Sequence, residues 1–204
     1  MNRLDPAFLD IVDAYWSQFF GGSPDILRKR TAQVLGHAEL SSYAGCYLME
    51  FGAAPVISLP SDEVEFYHEA VARWRPGVVR MPSVVEAVFR KRVAAIVGPA
   101  FIGYCDLNQF RPVSCDEARP LVAGDEEAGK TLRAACEVRE WEHGGSAFRP
   151  GAMTGVFKGQ ELVALASYQL WGERIAHIAV VTHPLFRGRG YATAAVSALY
   201  KDRF

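Results

Sequence analysis

The chain has 204 residues, half of them hydrophobic, with 22 basic and 23 acidic side chains and a net charge of −1 at neutral pH. That is enough apolar material for one large core or two small ones. The near-neutral balance argues against nucleic acid or an anionic membrane as a general partner. No apolar run approaches the roughly 18 residues that span a bilayer. The opening Met1-Asn-Arg-Leu-Asp-Pro6 lacks the apolar core of a secretion signal, so a cytoplasmic protein is expected.

In chain order, Asp5 to Phe20 carries apolar residues at helical spacing and stops at Gly21-Gly22. Ser23-Pro24 reads as the capped start of a second helix. Tyr43 to Phe51 and Pro55 to Leu59 read as short strands about Gly52. Asp62-Glu-Val-Glu65 opens a helix reaching Trp74, and Ser83-Val-Val-Glu86 opens another. Arg90-Lys91-Arg92 reads as one wet helix face. The run Val93 to Tyr104, broken by Gly98-Pro99, predicts buried strand and turn. Asn108 to Arg119 lacks periodicity and marks a boundary, giving an N-terminal α/β region over 1–112 and a second domain over 113–204. Cys46, Cys105, Cys115 and Cys136 show neither a C-x-x-C pair nor zinc spacing, so free thiols and no metal are expected.

Within the second domain, Asp125 to Arg139 predicts a helix. Gly124-Asp-Glu-Glu-Ala-Gly129-Lys130-Thr131 also fits a phosphate-loop pattern, G-x-x-x-x-G-K-[ST]. Asp125, Glu126 and Glu127 would then crowd three carboxylates around a triphosphate, which like-charge repulsion opposes. A helix with an acidic first turn accounts for the same residues. Met153 to Phe157, the turn Lys158-Gly159-Gln160 and Leu162 to Trp171 predict two strands joined as a hairpin. Ile175 to Val181 predicts a third strand, ended by His183 before Pro184.

Arg187-Gly-Arg-Gly-Tyr-Ala192 then leads into a predicted helix over Thr193 to Tyr200. A strand, a glycine turn and a helix N-terminus together present unpaired backbone N–H groups and a positive dipole end to one point, which suits a phosphate. Arg187 and Arg189 add charge-assisted donors. A dinucleotide fingerprint would need a third glycine at Thr193 and fails there.

Arg187, Gly190 and Ala192 fall in register with the acetyl-CoA signature of the GCN5-related N-acetyltransferase (GNAT) family, which residues 116–204 resemble. The resemblance implies an α/β (α+β) fold with a mixed, mainly antiparallel sheet flanked by helices. It implies acetyl-CoA as co-substrate and no metal. Val180, Val181 and Thr182 are implied along the pantetheine arm, and Arg187, Gly188, Arg189, Gly190, Tyr191, Ala192 and Thr193 around the pyrophosphate. The implied reaction is acetyl transfer to an amine of a small molecule or peptide. A non-catalytic acyl-CoA-binding or regulatory module and a phosphate-loop hydrolase are the competing readings. An amine must lose a proton to react, and Glu142, His143 and His177 are the candidate bases. The family's usual glutamate has no counterpart, since Ala176 stands near its position. Family members continue past the motif helix with further strands. Completion of the sheet by the N-terminal half, or by a second copy in a homodimer, is therefore expected.

Overall fold

A computed structural model describes residues 4–51, 53–90 and 93–203. Gly52, the pair Lys91-Arg92 of the basic cluster and the tripeptide Met1 to Arg3 lie outside the described residues. The chain divides into two compact units, 1–106 and 107–204.

In the first unit, helix α1 (Pro6–Phe20) is capped by Asp5, whose carboxylate accepts the Ala7 N–H at 2.8 Å. It buries Val12, Trp16 and Phe20. Strands β1 (Gln33–Gly36), β2 (Tyr47–Met49) and β3 (Val56–Leu59) form a sheet in the order β1-β3-β2, with β3 parallel to β1 and antiparallel to β2. Every β3 residue is buried, as befits the middle strand. Helices α2 (Val64–Val71) and α3 (Pro82–Phe89) pack Tyr67, Val71 and Phe89 against Ile57 and Leu59.

Several expectations need correction here. Ser23-Pro24 leads only into a three-ten turn, Ile26–Arg28, because the Ser23 hydroxyl bonds the Asp25 carboxylate at 2.7 Å instead of a helix N–H. The helix expected to reach Trp74 ends at Val71, and β1 was not foreseen. The run 93–104 is not buried strand. It has no regular structure, and Val97 and Phe101 are 93% and 86% exposed. Pro99 lacks the N–H a ladder needs, and Gly98 adopts a φ of 115° that interrupts an extended course.

The second unit holds strands β4 (Ala118–Pro120), β5 (Met153–Lys158), β6 (Glu161–Trp171) and β7 (Ile175–Thr182), each antiparallel to its neighbour in that order. Helices α4 (Glu126–Ala135) and α5 (Val138–Gly144) precede the β5–β6 hairpin, and α6 (Tyr191–Arg203) follows β7. One sheet face packs Val156, Ala164 and Ala166 on Ala194, Ala195 and Leu199 of α6. Small side chains on both partners allow close approach. The buried Thr154 hydroxyl then donates to the Ala195 carbonyl at 2.7 Å. The other face packs Met153, Leu165 and Val181 with Leu121 and Leu132. This is a mixed α/β fold with a mainly antiparallel sheet between helices.

The single helix expected over 125–139 is two. Cys136 and Glu137 are extended, and Glu137 starts α5 through a capping box with Glu140. The phosphate-loop pattern also dissolves into α4. Gly129 is buried, with Phe148 beside it. Lys130 Nζ is held by Glu127 at 2.7 Å and Glu126 at 3.4 Å, and the Thr131 hydroxyl donates to the Glu127 carbonyl. No loop remains to surround a phosphate.

Asp125 joins β4 to α4. Its carboxylate takes two hydrogen bonds from Arg119, both at 2.7 Å, and one from the Val122 N–H at 2.9 Å. The Arg119 hydrogen bonds, chiefly, lower its pKa to about 2. A depressed carboxylate pKa stabilises the fold above the unfolded value, 3.8, and that contribution is lost as pH falls toward about 2. Asp125→Asn should cost about 1 kcal/mol at neutral pH, since Arg119 is half exposed, and should flatten the stability profile between pH 4 and 2. Urea unfolding across that range checks it.

Candidate active site

The site begins with β7, which among the described residues pairs as a strand with β6 alone. His183 N–H donates to the Val163 carbonyl at 2.8 Å and sets the alternation of the ladder. By that alternation Ile175, His177, Ala179 and Val181 turn their backbone groups toward β6. Ala176, Ile178, Val180 and Thr182 turn theirs outward. Of the residues expected along a pantetheine arm, Val180 and Thr182 therefore offer backbone groups. Val181 offers a side chain.

The chain leaves β7 through a three-ten turn, Pro184–Phe186, fixed when the His183 side chain accepts the Leu185 N–H. Gly188 and Gly190 follow with φ of 73° and 82°. A side chain would strain both positions, although open space surrounds them. Both glycines are exposed, so the space over the turn is accessible. The Ala194 N–H is bonded to the Gly190 carbonyl, so the amides of Tyr191, Ala192 and Thr193 form the unpaired first turn of α6. Arg189 is exposed, with its guanidinium 5.5 Å from the Phe186 ring centre.

Arg187 is held on two sides. Its Nε donates to the Thr182 carbonyl at 3.2 Å, and its two terminal nitrogens reach Glu140 at 2.7 and 2.8 Å. The Arg187 bond, first of all, lowers the Glu140 pKa, and the Glu140 bond in turn raises that of Arg187. These two residues with Cys136, Val180, Val181 and Thr182 line a cleft of about 280 Å³. Burial, chiefly, raises the Cys136 thiol pKa.

The candidate bases lie on two elements. Glu142 and His143 are exposed on the last turn of α5. His143 Nδ1 stands 2.6 Å from the Arg139 carbonyl, which assigns the proton to Nδ1 and leaves the Nε2 lone pair directed elsewhere. His177 is exposed on β7, its ring stacked flat on Trp171 with centres 4.2 Å apart. The next residue after His143, Gly144, packs directly on the outward edge of β7. A Cβ there would stand 2.6 Å from the Val180 carbonyl oxygen and 3.1 Å from Val181 Cγ1. Glu140, Cys136 and Gly144 were missed from sequence. The spacing Glu137-x-x-Glu140 signals a helix start, but no periodicity reports a contact with Arg187.

Among the described residues no group of three His, Cys, Asp or Glu side chains is arranged to hold a metal, and no helix is long and apolar enough to cross a membrane. Cys46, Cys105, Cys115 and Cys136 form no disulfide.

An antiparallel sheet whose edge strand runs into a glycine turn and then a helix defines a mixed α/β domain. Residues 116–202 match the family model described as Acetyltransferase (GNAT) family. No curated protein and no solved structure matched the chain.

Gly144→Ala should force α5 off β7, because the clash is with backbone rather than a movable side chain. A loss of about 1–3 kcal/mol is expected, read by thermal or denaturant unfolding.

Proposed function

We propose that the second unit transfers an acetyl group from acetyl-CoA to the amine of a small molecule or peptide. The observation that carries this reading is the pair of left-handed glycines between the outward edge of β7 and the unpaired first turn of α6. The pyrophosphate of CoA takes the turn and the first amides of α6, with charge-assisted help from Arg187 and Arg189. The carbonyls of the pantetheine arm accept from the outward N–H groups of Val180 and Thr182, whose own carbonyls face Gly144 and the Arg187 Nε.

The neutral amine attacks the thioester carbonyl carbon. A carbon–nitrogen bond forms, the carbon–sulfur bond breaks, and the electron pair leaves on the CoA sulfur, which takes a proton to become the thiol. The amine nitrogen must give up a proton on the way. His143 is the base favoured here. Its Nδ1–H is fixed, its Nε2 is a ready acceptor, and its neighbour Gly144 touches the donor strand. Glu142 stands on the same turn. His177 sits farther along β7, in the stack with Trp171.

Titration calorimetry with acetyl-CoA, CoA and Mg-ATP tests the reading. Acetyl-CoA at about 100 times its Kd should add roughly 2.7 kcal/mol to stability, and Mg-ATP nothing. Gly190→Asp puts a Cβ and a negative charge over the turn and should abolish CoA binding, while Lys130→Ala should leave it unchanged. CoA affinity that survives the first change and falls with the second would place the phosphate site in α4 instead. Retained binding without acetyl transfer to any amine would point to a binding module.

A further inference from the structure

We propose that Glu140 is a positioning residue of the donor site. It aims the Arg187 guanidinium at the phosphate turn and ties α5 to that turn. The proposal rests on the acetyl-CoA reading above.

A guanidinium has five N–H donors. Three are engaged here, one by the Thr182 carbonyl and two by the Glu140 carboxylate. The fork is thereby fixed in plane and direction, with two N–H groups left over for a ligand. Glu140 is itself fixed. One of its oxygens accepts the Glu137 N–H at 3.1 Å as the third residue of α5, so its carboxylate cannot move without opening the start of that helix.

Exposure separates this role from a merely structural one. The side chains of Arg187 and Glu140 are 47% and 34% exposed, and exposed pairs contribute little to folding. A carboxylate beside a phosphate site also opposes the ligand by charge. Glu140 therefore benefits binding only by holding Arg187 still, which spares the ligand the entropy of ordering a long side chain. The same contact anchors the first turn of α5, whose last turn carries Glu142 and His143. An arginine placed correctly on the phosphate thus keeps the base-bearing helix against β7.

The test is a calorimetric cycle on the full chain with acetyl-CoA as ligand, using wild type, Glu140→Ala, Arg187→Ala and the double variant. Glu140→Ala is expected to weaken binding roughly fivefold although it removes a repelling charge. The double variant should bind no more weakly than Arg187→Ala, because the two residues act as one unit. The slope of log Kd against log salt should steepen in Glu140→Ala, which unmasks a cation. Glu140→Gln keeps an acceptor for Glu137 and Arg187, should recover part of the loss, and serves if the alanine variant folds poorly. Tighter binding by Glu140→Ala would make Glu140 a competitor of the ligand and overturn the proposal. Losses that add in the double variant, or an unchanged Kd, would overturn it too. Wild type that fails to bind acetyl-CoA at millimolar concentration defeats the acetyltransferase reading itself, and the proposal with it.

Discussion

One-sided hydrogen bonding of β7 is the constraint on which the second unit's chemistry depends. Because an antiparallel ladder alternates, pairing with β6 consumes every other backbone group and leaves the rest in a row along the outer edge. Each further feature of the site is placed relative to that row. Gly144 touches it at Val180, Arg187 caps it at Thr182, and the glycine turn begins where it ends. On the reading proposed above, an extended ligand with its own amides and a phosphate would lie along that edge and meet the first turn of α6.

The helix beyond the turn is held by backbone proximity more than by bulk. Ala164 and Ala166 on the sheet meet Ala194 and Ala195 on α6, and Thr154 reaches the Ala195 carbonyl directly. Ser197, fully buried in the next turn, accepts the Val113 N–H at 3.0 Å. Buried polar contacts of this kind fix rotation and register, because sliding the helix would leave the hydroxyls without partners. The first turn of α6 is thus presented rigidly. A preorganised row of amides needs no rearrangement to receive an anion.

Much of this was legible in the sequence where one residue type has a local mechanism. The helical spacing from Asp5 to Phe20 and its stop at Gly21-Gly22 announced α1, the Lys158-Gly159-Gln160 turn announced the β5–β6 hairpin, and Arg187 to Ala192 announced the turn before α6. The failures share a different cause. β1 is four half-buried residues whose strand character comes from pairing with β3. β4 is three residues ending in a proline, held in place by β5. The run 93–104 is apolar enough to be a strand but forms no ladder, so composition alone misread it. Glu140 was invisible for the same reason: its role depends on Arg187, 47 positions away. Local chemistry writes caps and turns into a sequence, whereas pairing across the chain leaves no comparable mark.

The two arginines of the turn show why position outweighs charge at this site. Both were expected as charge-assisted phosphate donors from their place in the glycine turn. Arg187 is locked between a carbonyl and a carboxylate, and Glu140 offsets its charge. Arg189 lies exposed, associated with the Phe186 ring and carrying its charge into solvent. An exposed cation acts at a distance and is screened by salt within about 8–10 Å, so its contribution is chiefly to encounter. A fixed guanidinium acts by geometry, through the direction of its two remaining N–H groups, and so discriminates among anions of different shape. In a chain of net charge −1, recognition of an anionic ligand cannot rest on overall attraction. On the proposed reading it rests on the few donors that the fold aims, the first amides of α6 and the fork of Arg187.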